Sequence, residues 1–305
     1  MSGLPVERLS WQGPVGRPHS ASSARAGGHC DTAGKDNRSL PVDTLHIAVD
    51  ARGVAHLTMT RPEVFNAFNE AMIGEMAQAM GRLTADPKVR VIVLAGAGKA
   101  FSAGADIQWM KRAAAASHED NLADARRFAE MLAAIGECPK PVLARVQGLA
   151  LGGGVGLVAA CDIAVAAEDA KFAVSEARFG ILPAVIGPYV INAVGPRQAR
   201  RLALTASRIA ADVALQMGLV HEVVANDQLD VALERWIHEL LQNGPQAQGE
   251  IKQLFAQLEV GPVTAEVREL TAQTIARVRM GDEAREGFAA FTAKRPAAWI
   301  PGDKA

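Results

Sequence analysis

Leu45–Val49 and Val54–Thr60 alternate apolar and polar residues on either side of Arg52–Gly53. A period of two with a glycine turn predicts a β-hairpin, with His46 and His56 facing each other across it. In Asn69–Leu83 the spacing becomes helical, through Met72, Met76, Ala79, Met80 and Leu83, and it stops before Asp86–Pro87. Val89–Ala95 is apolar except for Arg90, the pattern of a strand buried on both faces. His118–Ile135 predicts an amphipathic helix and Val142–Val146 a second buried strand. A helix should then run from the following glycines through Val158. Ile163–Ala166 and Lys171–Ala173 predict two short strands.

From Pro183 the pattern is helical, broken at Val220–Val224, and Gly244–Pro245 and Gly261–Pro262 divide the tail Asp227–Phe291 into several helices. Strand, loop, strand, helix is the recurring order before Pro183, so the chain reads as α/β with a helical C-terminal region. The expected organisation is a disordered extension over 1–40, a core over 41–240 and a helical region over 241–305. The extension is rich in Gly, Ser, Pro and Arg and has no hydrophobic period.

Composition narrows the function classes. At 305 residues, 49% hydrophobic and 21% charged, the chain can bury a substantial core. A net charge of −1 gives no broad footprint for nucleic acid, and no basic patch with interleaved aromatics occurs. The uncharged apolar run Val146–Cys161 is too short and too glycine-rich to span a bilayer. Cys30, Cys138 and Cys161 share no metal-like spacing. Cys138 and Cys161 read as small core residues in a reducing, cytoplasmic compartment. The histidines do not cluster, so neither a metal set nor a Ser-His-Asp arrangement is expected.

The chemistry concentrates in two segments, Lys99–Ile107 (KAFSAGADI) and Gly148–Leu157 (GLALGGGVGL). Each places small residues and glycines beside a helix start, where backbone N–H groups reach a ligand oxygen without side-chain obstruction. Two donors from separate loops would make an oxyanion hole and stabilise the enolate of an activated carbonyl. The same glycines also serve close helix–strand packing. Gly152, Gly154 and Gly156 form G-x-G-x-G, which is not the dinucleotide fingerprint, and Gly98–Lys99 is followed by Ala100, not by the Ser or Thr of a P-loop. Glu176 is the candidate acid/base. It lies among Phe172, Val174, Phe179 and Ile181, an apolar setting that raises a carboxyl pKa, although Arg178 offers it a structural partner. Asp106 reads as the cap of the next helix.

With Arg61-Pro-Glu-Val-Phe-Asn-Ala-Phe, Ser175-Glu-Ala-Arg-Phe-Gly-Ile-Leu-Pro and Phe291-Thr-Ala-Lys-Arg, these segments make the chain resemble the enoyl-CoA hydratase/isomerase (crotonase) superfamily from about Leu45 to Trp299. The resemblance implies a crotonase-like spiral of ββα units, assembled as homotrimers or hexamers through the C-terminal helices. It implies an acyl-CoA thioester substrate, with coenzyme A part of that substrate and no separate cofactor or metal. The oxyanion donors become the N–H groups of Ala103 and Gly153. For CoA it implies the backbone of Ala103, Ala105, Asp106 and Ile107 at the adenine and Val64 near the pantetheine, with Phe291 and Lys294 reaching the nucleotide, often from a neighbouring subunit. On their own residues, Lys294 and Arg295 read as a solvated helix end.

Glu176 matches one of the two catalytic glutamates of the family's hydratases. The position of the other is Gly156, a glycine expected to leave space for a branched or polar acyl group. Three readings follow: a hydratase working with Glu176 alone, a Δ3–Δ2-enoyl-CoA isomerase using the same glutamate, and a weakly catalytic acyl-CoA-binding module. Within the family, Ser175–Gly195 together with GGGVGL is similar to the methylglutaconyl-CoA hydratase branch of leucine degradation.

Overall fold

The structure, a computed structural model, describes residues 44–302. The extension expected over 1–40, with Cys30, lies outside the described residues.

The hairpin forms as β1 (Leu45–Val49) and β2 (Val54–Met59), antiparallel, with Gly53 at φ +86° in the turn. A side chain at Gly53 would also strike the Lys88 carbonyl, so only glycine fits there. Its register pairs His46 with Thr58 and His56 with Ala48. The two histidines therefore share a face but are displaced by two residues along the strands, and are not opposite each other.

Helix α1 (Glu70–Ala85) starts where Asn69 accepts the Met72 N–H at 3.1 Å, a side-chain cap for an otherwise orphan donor. Its buried stripe, Met72, Ile73, Met76, Ala79, Met80 and Leu83, follows the helical spacing of the sequence. Next come β3 (Val91–Gly96), α2 (Ile107–Ala115), α3 (His118–Gly136), β4 (Val142–Val146), β5 (Leu149–Leu151) and α4 (Gly153–Ala160). They are followed by β6 (Ile163–Ala167), β7 (Lys171–Ala173), α5 (Gly187–Thr205), β8 (Ile209–Ala210), α6 (Ala211–Gln216) and β9 (Glu222–Val224). Helices α7 (Leu229–Leu241), α8 (Pro245–Ala256), α9 (Ala265–Arg279) and α10 (Asp282–Ala293) complete the chain. Gly195 at φ +74°, followed by Pro196, breaks α5 into two helical pieces.

The strands form a six-stranded sheet in the order β1-β2-β3-β4-β6-β9, parallel from β2 onward, and a three-stranded sheet in the order β5-β7-β8. The turns β4-β5-α4 and β6-β7-α5 each lay one strand in the large sheet, one in the small sheet and then a helix. This is the spiral of ββα units that the resemblance implied. The continuous apolar run of β3 is explained by burial on both faces. Ile92 and Leu94 join the main core with α1, α3 and α4, while Val91 and Val93 pack against Leu229, Leu233 and Ile237 of α7. Strands β5 and β8 were not anticipated, because three and two residues are too few to show a period. Cys138 is buried and Cys161 is half-buried against the same core, both free thiols. Burial pushes the Cys161 thiol pKa far above its ordinary value.

Candidate active site

The two glycine segments meet. Strand β3 delivers the first into the loop before α2, and β4 with β5 delivers the second to the start of α4. A Cβ on Gly104 (φ +85°) would lie 2.5 Å from the Leu151 carbonyl oxygen and 3.2 Å from the Gly153 nitrogen. Only a residue without a side chain permits that approach. On the other side of α4, a Cβ on Gly153 would run into Phe68 Cζ and one on Gly154 would stand 2.5 Å from the Ser102 carbonyl. The packing role of these glycines is thus present in the geometry.

Which N–H groups remain available differs from expectation at one position. The Ala103 N–H donates to the Phe65 carbonyl at 2.8 Å, so it is already committed within the protein. Two residues on, Ala105 lies between Gly104, whose N–H donates to Ser102 Oγ at 3.1 Å, and Asp106, whose N–H donates to the Phe68 carbonyl at 3.0 Å. The Ala105 N–H itself has no partner among the described residues, and Ala105 lines the cleft. Gly153 is the first residue of α4, and its N–H likewise has no partner there. Helix starts leave such donors orphaned, with a dipole that favours negative charge. The pair the structure leaves free is therefore Ala105 with Gly153, and Ala103 is a loop anchor.

That loop is held by a residue whose role the sequence did not reveal. Asn66 is fully buried at φ +54°, and Phe65 before it is also left-handed at φ +53°. Its amide nitrogen donates to the carbonyls of Ala97 and Ala100, each at 2.8 Å, and its Oδ1 accepts the Arg61 N–H at 3.0 Å. Ser102 Oγ donates to the Asn66 carbonyl at 2.8 Å. Asparagine tolerates the left-handed region better than most residues because its short polar side chain bonds locally. The only signal in the sequence was its place inside the Arg61–Phe68 segment.

Glu176 opens a 3₁₀ turn three residues past the end of β7 and lines a cleft of ≈ 730 Å³ with Ala105, Gly152 and Gly153. Its Oε2 is buried and has no hydrogen-bond partner among the described residues. Burial pushes its carboxyl above the ordinary glutamate pKa, while the N–H groups of Glu176 and Ser175 pull the other way. It makes no ion pair with Arg178 among the described residues. A Cβ on Gly152, at φ +51°, would sit 3.2 Å from Glu176 Oε1, so the glycine before α4 also makes room for the acid.

Val64, Ala103, Asp106 and Ile107 line the same cleft. Asp106 caps α2 by accepting the Gln108 N–H at 2.8 Å and pairs with Arg61 at 3.0 Å. Despite partial burial, those partners hold its carboxyl below the ordinary aspartate value. Gly156 is not at the cleft. It is buried in α4, and the space expected beside it is taken by Ile186, whose Cβ would be 2.8 Å from a side chain at 156. Phe291 and Lys294 are also apart from it within the chain. Phe291 is 85% exposed and borders a groove between α8, α9 and α10, while Lys294 ends α10. Arg295 beside it pairs with Glu286 at 2.6 Å. Among the described residues, no group of three metal-ligating side chains occurs and no helix is long and apolar enough to cross a membrane.

Comparison with known proteins places the chain in a family. The short-chain-enoyl-CoA hydratase of Clostridium acetobutylicum is 36% identical over 200 residues, covering 64% of this chain and 74% of that protein. An enoyl-CoA hydratase from Shewanella pealeana superposes with a TM-score of 0.81 at 41% identity, covering 84% of this chain and 96% of the other. One from Mycobacterium smegmatis gives 0.78 at 36% identity, covering 85% and 99%. The family profile described as Enoyl-CoA hydratase/isomerase matches residues 50–301. The chain belongs to the enoyl-CoA hydratase/isomerase family of enzymes.

Proposed function

We propose that the protein hydrates a 2-enoyl-CoA thioester, with Ala105 and Gly153 as the oxyanion donors and Glu176 as the one acid/base. The observation that carries this reading is the convergence of two unpartnered N–H groups and one partly desolvated carboxyl on a single cleft. The thioester oxygen accepts both N–H groups. The Glu176 carboxylate takes a proton from water as the water oxygen bonds to C3, and the electron pair of the double bond moves onto the thioester oxygen as an enolate. Glu176 then returns the proton to C2, completing a syn addition. Preorganised donors at the enolate oxygen contribute roughly 3 kcal/mol each in such sites, and a well-placed acid/base about 10²–10⁴ in rate.

A second reading is a shift of the double bond between C3 and C2. What favours it is that Glu176 and Asp106 are the carboxyls lining the cleft and Arg61 occupies Asp106. One acid suffices to carry a proton from C2 to C4. A branched acyl group such as 3-methylglutaconyl, assembly into trimers or hexamers through the exposed Phe288 and Phe291 of α10, and a cytoplasmic setting belong to the same proposal.

The test is product analysis by mass spectrometry after incubation with crotonyl-CoA, 3-methylglutaconyl-CoA and a 3-enoyl-CoA. A gain of one water on a 2-enoyl substrate supports the hydratase. A moved double bond at unchanged mass, without hydration, replaces it with the isomerase. Binding without turnover of any of the three overturns both in favour of a binding module.

A further inference from the structure

The two unpartnered N–H groups come from loops about fifty residues apart in the chain, and one residue outside the cleft touches both. Phe65 and Ala67 line the cleft, while Phe68 is 1% exposed and turns its ring into the core. Its main chain forms a parallel bridge with Ala105. The Phe68 N–H donates to the Gly104 carbonyl at 2.8 Å, and the Asp106 N–H donates to the Phe68 carbonyl at 3.0 Å. In such a bridge the residue held between the two bonds turns its own N–H and C=O to the opposite side. The Ala105 N–H is therefore left over because of how Phe68 grips its neighbours.

The ring of Phe68 meets the other donor. A Cβ on Gly153 would run into Phe68 Cζ and stand 3.1 Å from Phe68 Cε2, so the edge of the ring lies against the Gly153 backbone. From the opposite side comes Gly104, whose own Cβ position is 3.2 Å from the Gly153 nitrogen and whose carbonyl is the one Phe68 holds. The ring is itself wedged between elements. Phe128 of α3 lies 5.3 Å away and Trp109 of α2 lies 6.4 Å away, centroid to centroid. Trp109 is fixed in turn by donating its indole N–H to Asp124 at 2.5 Å.

We infer that Phe68 is a positioning residue for the oxyanion hole, its main chain aiming the Ala105 N–H and its ring setting where Gly153 stops. An oxyanion needs both donors at hydrogen-bond distance from the place its oxygen will occupy, and a misplacement of about 1 Å can cost about 10²-fold in rate. A ring that served only to fill the core would contribute stability without tuning that spacing. The inference rests on the donor pair of the proposed function.

The test reads the donors directly. Hydrogen bonds to a thioester oxygen lower its C=O stretching frequency, so difference infrared spectra of bound butyryl-CoA, isotope-labelled at that carbonyl, report the hole in each bound molecule. Phe68→Leu keeps the main-chain bridge and an apolar side chain but withdraws the ring edge from Gly153. It should lower kcat per binding site about tenfold or more, with the calorimetric affinity for butyryl-CoA kept and the carbonyl shift clearly reduced. Phe68→Met, unbranched and longer, should recover part of both. A Leu variant with a wild-type shift overturns the inference, whether or not its Tm or kcat falls, because the ring then acts elsewhere. Ala105→Pro separates that failure from the failure of the donor pair. If it reduces the shift while Phe68→Leu does not, the donors stand and the role of Phe68 falls. If Ala105→Pro leaves the shift untouched, the donor pair falls and the inference with it. The shift needs no turnover, so it reads the same whether the enzyme adds water or moves a double bond.

Discussion

The side chain of Ile186 fills the space next to Gly156, with its Cβ 2.8 Å from where a side chain at 156 would begin. Gly156→Ala should therefore cost about 1–3 kcal/mol in urea denaturation, the usual range for overpacking a tight core. Ile186→Ala opens a cavity, and the double variant should be more stable than the two separate losses imply. A coupling of about 1 kcal/mol is expected, and additive losses would mean the helix shifts to absorb the methyl group. For the same reason Gly156→Glu should not confer two-glutamate hydration: crotonyl-CoA turnover should not rise and Tm should fall.

Glu176→Gln should lower kcat about 10²–10⁴-fold while binding of a saturated acyl-CoA survives in calorimetry. The variant also has a pH signature in stability. Burial raises the folded-state pKa of Glu176, so the carboxyl favours folding most when protonated, and that contribution is lost as pH rises from the unfolded value through the folded one. The Gln variant should melt at a higher temperature than the wild type at pH 8, with the gap closing near pH 4. A gap that is independent of pH would contradict the burial of this carboxyl.

Ala105→Pro removes one donor N–H from the cleft and should lower kcat about 10²–10³-fold with little change in acyl-CoA affinity. Ala103→Pro removes the bond to the Phe65 carbonyl instead and should show first as a lower Tm. If Ala103→Pro lost catalysis at full thermal stability while Ala105→Pro did not, the donor assignment would be reversed.

Asn66→Ala deletes three hydrogen bonds of a buried side chain and leaves the carbonyls of Ala97 and Ala100 without their donor. It also puts alanine at φ +54°. A loss of about 2–4 kcal/mol in denaturant unfolding is expected. The residual folded enzyme should have reduced kcat, because without those side-chain bonds the backbone of residue 66 is no longer fixed, and its carbonyl positions Ser102 Oγ, which takes the Gly104 N–H.

His221 Nδ1 accepts the Ala164 N–H at 3.0 Å where β6 meets β9, which requires a neutral ring. Burial lowers its pKa, opposed by the nearby Asp162 charge. Its contribution to stability is thus complete above the unfolded histidine pKa of about 6.5 and is lost as pH falls through the lower folded value. The stability difference between wild type and His221→Ala should shrink between pH 8 and pH 5. A difference that grows on acidification would show that the ring binds as a cation.

The long elements were legible in the chain because each carries enough residues to show its period. Met72–Leu83 repeats on one helical face, and Val91–Leu94 is apolar throughout because both faces of β3 are covered. The apolar setting of Glu176 was legible for a related reason: its apolar neighbours in the chain are also neighbours in the cleft or core. Three things were settled only in the tertiary structure. Ala103 and Ala105 are indistinguishable by residue type, and the Phe65 carbonyl, 38 positions before Ala103, decides which N–H stays free. A glycine in a sequence looks the same whether its missing side chain is replaced by open space or by another residue. At 156 the occupant is Ile186, brought there by the packing of α4 against the segment leading into α5. Arg178 and Arg208, thirty positions apart, line the same cleft, and the two-residue β8 beside Arg208 has no period to detect. Periodicity depends on which way each side chain points along one element, so the sequence carries it. Hydrogen-bond partners, occupied space and the meeting of charges depend on residues far apart in the chain, and only the assembled fold assigns them.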